Sequence, residues 1–119
     1  MKMIIYHNPS CSKSCKALSI LQKKGLEVEV IEYLRNPLSV MHLRELANKL
    51  NLRPRDFLRA REVDFKALNI DLEDDDAVLN TLEVNPQLLQ RPIVTNGENA
   101  VIGRPPENVL KLLDEDNLC

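Results

Sequence analysis

The apolar positions of this chain change their spacing from segment to segment. Met3-Ile4-Ile5-Tyr6 is a short unbroken apolar run, the pattern of a strand covered on both faces. Over 12–24 the spacing becomes helical, with Ala17, Leu18 and Leu21 on one face and Gly25 placed to close the helix. Residues 28–34 return to a β pattern, which Asn36-Pro37 ends. Strand, crossover helix and second strand predict parallel pairing. Next, Leu43, Leu46, Ala47 and Leu50 follow a helical stripe that Ser39 can cap. Residues 53–60 read as a short helix and 61–70 as a loop. Asp71-Leu72-Glu73-Asp74-Asp75-Asp76 reads as the N-cap and acidic first turn of a helix, not as a metal site. That helix runs to about Val84 and stops before Pro86. Residues 92–95 and 100–102 are two strands with the hairpin signal Asn96-Gly97 between them. Pro105 or Pro106 then opens a last helix carrying Val109, Leu110, Leu112 and Leu113, and the tail to Cys119 is expected to fray.

The order is β-α-β, a block of helices, then β-β-α. It predicts an α/β fold with a mixed four-stranded sheet, formed by one domain over 1–119 with a helical insertion at about 37–90. A length of 119 residues suits one domain, and 44% hydrophobic content is enough for a core built mainly from Leu, Ile and Val.

Charge narrows the function classes. Sixteen basic against eighteen acidic residues give a net charge of −2, which argues against general nucleic-acid binding. The dispersed charge points to a monomer. No apolar run approaches the roughly 20 residues of a membrane span. Met1-Lys2-Met3-Ile4 enters a strand at once and does not resemble a signal peptide. Three cysteines in such a chain suggest the reducing cytoplasm rather than a disulfide framework. Cys11 and Cys15 lack the usual metal-knuckle spacing and only two His are present, so no metal is expected.

The stretch His7-Asn8-Pro9-Ser10-Cys11-Ser12-Lys13-Ser14 joins the first strand to the first helix. It places a cysteine at the helix start, where unpaired amides and the helix dipole favour an anion. A thiol there ionises more easily, and the thiolate is the nucleophile. Lys13, Lys16 and His7 add positive charge in the same direction. Cys15 lies one turn further along that helix face and reads as a packed helix residue in preference to a resolving thiol.

Arg53, Arg55, Arg59 and Arg61 crowd together, and Arg91 and Arg104 stand at the edges of the later strands. Arginine binds oxyanions through a planar fork of donors, so an anion pocket beside the cysteine is expected. The pocket is not that of a cysteine phosphatase, because the position six residues after Cys11 is Ala17 rather than arginine. No Walker loop or dinucleotide GxGxxG is present.

Taken together, Ile5-Tyr6-His7-Asn8-Pro9-Ser10-Cys11 with Ser12-Lys13-Ser14, Phe57-Leu58-Arg59, Gln90-Arg91-Pro92-Ile93-Val94 and Gly103-Arg104-Pro105-Pro106 resembles the glutaredoxin-dependent arsenate reductase family. The resemblance covers about residues 3–115. It implies a thioredoxin-like fold with an inserted helical block, and reduction of arsenate to arsenite. Cys11 would be the nucleophile, with His7 and Ser14 holding it as thiolate. Arg59, Arg91 and Arg104 would bind the oxyanion, and Pro92 would be a cis-proline. Glutathione would serve as co-substrate and glutaredoxin as partner, with no bound cofactor. Family members commonly carry a basic residue where this chain has Cys15, and longer members extend beyond the position of Cys119.

Two other functions fit the same architecture. One is a thiol/disulfide oxidoreductase acting on other disulfides. The other is an Spx-like regulator that binds RNA polymerase, but those resemble a Cys-x-x-Cys switch and this chain has Ser14 at the second position.

Overall fold

The computed structural model describes residues 2–58 and 70–113. By its internal contacts the chain divides into two compact units, one formed by residues up to Asn36 with those from Arg91 on, the other by Pro37–Gln90.

The first unit is built on a four-stranded sheet of β1 (Lys2–His7), β2 (Glu27–Glu32), β3 (Ile93–Thr95) and β4 (Ala100–Ile102), in the order β2-β1-β3-β4. Strand β1 pairs in parallel with β2, in a register that sets His7 opposite Glu32. It pairs antiparallel with β3, which in turn pairs antiparallel with β4. This is the mixed four-stranded sheet that the order of elements predicts, in the thioredoxin-like arrangement that the resemblance implies. Helix α1 (Ser12–Lys23) is the crossover between β1 and β2. Gly25 follows it at φ +73, a left-handed conformation that glycine adopts without a Cβ penalty. Ala17 and Leu21 of α1 bury against Met3, Ile5, Val94, Val109 and Leu112 in one apolar cluster.

Two boundaries in this unit differ from the sequence expectation. Strand β2 ends at Glu32 rather than 34, because the Glu32 carbonyl accepts the N–H groups of both Arg35 and Asn36 and turns the chain. The last helix begins as a 3-10 turn, Pro106–Leu110, and becomes α-helical only at 111–113. Asn108 ties this turn back to the sheet by donating to the Ile102 and Arg104 carbonyls, at 3.3 and 2.9 Å.

The second unit is helical. In α2 (Val40–Leu50) the Ser39 hydroxyl caps the start by accepting the His42 N–H at 3.1 Å. In α3 (Asp75–Val84) the Asp74 carboxylate accepts from the Ala77 N–H, with Asp75 and Asp76 in the first turn. The acidic run is therefore a helix start. Leu43, Leu46 and Ala47 of α2 and Val78, Leu79 and Leu82 of α3 are buried, as is Phe57. The short helix expected over 53–60 is only a 3-10 turn, Pro54–Phe57. Leu58 leaves it in extended conformation to bridge Leu89, so a long-range pairing overrides the local preference. The rest of that segment, most of the 61–70 loop and the tail lie outside the described residues. Among the described residues no helix is long and apolar enough to cross a membrane.

Candidate active site

The turn from β1 to α1 is fixed by its own hydrogen bonds. The Cys11 N–H donates to the Asn8 carbonyl at 3.0 Å, closing a four-residue turn with Pro9 at its favoured second position. The Asn8 side chain accepts the Ser10 N–H at 2.9 Å. Beneath the turn, the fully buried Ser14 hydroxyl accepts the Asn8 N–H at 3.1 Å and lies 2.6 Å from His7 Nδ1. Burial keeps the His7 imidazole below its ordinary value, against an opposing pull from Glu32. A neutral histidine is thus clamped to Ser14. The Ser14 hydroxyl braces the turn, while its backbone amide faces the Cys11 sulfur.

Cys11 is the N-cap residue of α1. Its neutral thiol makes no regular capping hydrogen bond, yet the surroundings favour the ionised form. Burial pushes the thiol up. The amides of Ser14 and Lys13 and the Arg91 guanidinium outweigh that cost, leaving Cys11 below its ordinary value. Cys15 is exposed and donates its S–H to the Pro9 carbonyl at 3.3 Å, as part of the turn's bracing.

Arg91 precedes β3, and the Arg91–Pro92 peptide bond is cis, as is Arg104–Pro105. Gly103 donates its N–H to the Pro92 carbonyl at 2.8 Å. A Cβ on Gly103 would meet the Pro92 ring at 2.8 Å, closer than carbon atoms approach, so any larger residue there forces the ring or the loop to shift. Arg104 donates from Nε to the Arg91 carbonyl at 2.7 Å, which sets it beside Arg91 and leaves its terminal amino groups as donors. Among the described residues, no carboxylate lies within ion-pair distance of either arginine.

Of the residues singled out in the sequence, His7, Cys11, Ser14 and Arg91 gather around one sulfur or its supporting turn, Pro92 follows Arg91 through the cis bond, and Arg104 is tethered to Arg91. Arg59 lies outside the described residues. The strand pattern of residues 28–34 takes in Tyr33 but gives it no place in the site. Tyr33 follows β2 directly, is 1% exposed, and its phenol lies near Arg91, Asn8 and Cys11. The one signal for it is its place at the end of a strand in a chain with only two tyrosines. Among the described residues no group of His, Cys, Asp and Glu is arranged to hold a metal ion.

Known proteins are similar to this chain in sequence and in backbone. The ArsC family model matches residues 6–112, from the end of β1 to the last helical segment. An arsenate reductase of Haemophilus influenzae is 40% identical over 116 residues, spanning 95% of this chain and 100% of the relative. One from Neisseria meningitidis serogroup A is 41% identical over 112 residues, spanning 92% of this chain and 96% of the relative. The solved structure of an arsenate reductase from Vibrio cholerae superposes with a TM-score of 0.87 at 41% identity, covering 94% of this chain and 98% of that one. On the span of the family match and the identity of these full-length relatives, the chain belongs to the ArsC family.

Proposed function

We propose that this protein reduces arsenate to arsenite, with Cys11 as nucleophile and glutathione and glutaredoxin as the source of electrons. The observation that carries the reading is a thiol held below its ordinary value by two helix amides and a guanidinium that has no carboxylate partner among the described residues. The relatives named as arsenate reductases support the choice of oxyanion.

An arsenate anion repels a thiolate, so cationic donors must offset that repulsion before the two can meet. Arg91 and Arg104 hold the oxyanion, and Arg59 is proposed as a third donor. The Cys11 thiolate attacks arsenic. One arsenic–oxygen bond breaks and its oxygen leaves as water, giving a Cys11–arsenic(V) adduct. A glutathione thiol displaces a second oxygen as water. Two electrons then pass to arsenic as thiol sulfurs are oxidised to a disulfide, with glutaredoxin accepting the glutathione. Water then cleaves the Cys11–arsenic(III) bond, adding its oxygen to arsenic, so that arsenite leaves and Cys11 regains its thiolate. His7 and Ser14 hold the turn that carries the sulfur. The scheme needs no resident metal or cofactor, and we place it in the cytoplasm with a monomeric enzyme.

The test is arsenate-dependent oxidation of glutathione in a coupled glutaredoxin assay. Cys11→Ser is expected to abolish turnover, while Cys15→Ser and Cys119→Ser retain it. Full activity in Cys11→Ser would overturn the proposal. Disulfide reduction by the unaltered protein without arsenate would point instead to a general thiol oxidoreductase.

A further inference from the structure

Among the described residues, two buried polar atoms near Cys11, the Tyr33 hydroxyl and Arg91 Nε, meet no partner at full hydrogen-bond geometry. Such orphans are rare, because a buried donor with no acceptor costs about 1–3 kcal/mol. Arg91 reaches the Cys11 sulfur, and the Tyr33 phenol lies within electrostatic reach of it.

The surroundings of the phenol restrict what it can do. The Asn8 side-chain oxygen accepts the Ser10 N–H and is not placed to accept from the phenol, and the Asn8 NH2 is a donor. The Arg91 guanidinium carries only donors. Burial pushes the Tyr33 phenol up, against the pull of Arg91, so it stays protonated at neutral pH. Donors therefore crowd an oxygen that carries a proton of its own to give. The Cys11 sulfur is already served by the amides of Ser14 and Lys13 and by Arg91. Satisfying Tyr33 and Arg91 Nε together calls for a group with several acceptor oxygens next to that sulfur.

We infer that the Tyr33 hydroxyl is an oxyanion-binding donor of the active site, giving its hydrogen bond to an oxygen of the tetrahedral anion that Cys11 attacks. This rests on the reading of Cys11 as the nucleophile toward an oxyanion. The bond strengthens as charge builds on the oxygens during attack, so the donor acts on the transition state as well as on binding. It is neutral, and so discriminates by direction where the guanidiniums act by charge.

The experiment compares Tyr33→Phe with the unaltered protein in three measurements. Arsenate-dependent kcat/KM is expected to fall by about a hundredfold, the effect of removing one oxyanion donor. Arsenate and the non-reducible anion sulfate are expected to protect Cys11 from iodoacetamide less well in the variant. The pH profile of alkylation without anion is expected to stay where it was, and Tm to hold or rise, since an unpaired buried hydroxyl has been removed. Equal turnover and equal protection in the two proteins would overturn the inference while leaving arsenate reduction standing. A shift of the alkylation profile to higher pH with unchanged anion protection would also overturn it, placing the hydroxyl on the sulfur. If the unaltered protein shows no arsenate turnover but anions protect it and not Tyr33→Phe, the donor role stands and the reductase reading fails. Absence of both turnover and protection in the unaltered protein would overturn both.

Discussion

Arg44, Arg53 and Arg55 of the helical insertion and the arginines flanking β3 and β4 are one residue type in opposite electrostatic settings. In the insertion, Arg53 pairs with Glu73 and Asp75 at 3.0 and 3.1 Å, Arg55 also pairs with Glu73, and Arg44 meets Asp76 at 2.8 Å. All of these groups are well exposed. The acidic start of α3 thus absorbs the positive charge nearby. By the sheet, Arg91 and Arg104 have no such partner among the described residues. Arg104 is held by a backbone carbonyl, and Arg91 turns toward a thiol. A cation whose charge is already cancelled braces a surface. A cation fixed by neutral groups keeps its field for whatever anion arrives.

The comparison breaks first at Arg91. Arg91→Gln keeps an amide donor but loses the charge and the fork. It is expected to lower arsenate-dependent kcat/KM by about a hundredfold to a thousandfold. The same variant should move the pH profile of Cys11 alkylation upward, since the guanidinium is one of the groups holding the thiol down. The sign carries into stability. A depressed thiol stabilises the fold fully above the unfolded thiol's value and loses that contribution as pH falls through the folded one. The stability gap between the unaltered protein and Arg91→Gln is therefore expected to narrow on acidification in chemical denaturation. An unshifted alkylation profile would remove Arg91 from the thiolate's environment.

A smaller effect separates placement from charge. Gly103→Ala leaves every charged group in place but drives a methyl group into the Pro92 ring. Overpacking of this kind costs typically about 1–3 kcal/mol, which would appear as a lowered midpoint in denaturant. Turnover should fall with it, because Pro92 and Arg91 move together. An alanine variant with unchanged stability would show that the loop yields freely.

The smallest effect is expected in the insertion. Arg53→Gln removes two ion pairs, yet exposed pairs contribute little to stability. Turnover and the alkylation profile are expected to stay at the level of the unaltered protein. A loss like that of Arg91→Gln would mean that carboxylate pairing does not sort the arginines into two kinds.

That sorting was not legible in the sequence, and the reason is physical. Periodicity reports which residues share a face of one element, so β1, α1, the caps at Ser39 and Asp74 and the β3–β4 hairpin could be read from local pattern. The turn before Cys11 was legible because Asn-Pro-Ser and a following helix are local chemistry. Which carboxylate meets which guanidinium depends on elements far apart in the chain; Arg53 and Glu73 are twenty residues apart. Tyr33 was invisible for the same reason. Its aromatic ring suits a strand, and only the fold reveals that its hydroxyl ends among donors beside Cys11. The extended Leu58, drawn out of its turn by Leu89, shows the same limit in the backbone.

The register of β1 against β2 has a consequence for inheritance of the site. Because the two strands run the same way, with His7 opposite Glu32, both hand over their next residues at the same border of the sheet. One strand releases the loop that bears the sulfur, the other releases the phenol. Slippage by a single position would carry Tyr33 about 3.3 Å along the strand axis and turn the β2 side chains over. Insertions or deletions between residues 12 and 32 are thus constrained by chemistry at the far end of the strand as well as by the hydrocarbon beneath it.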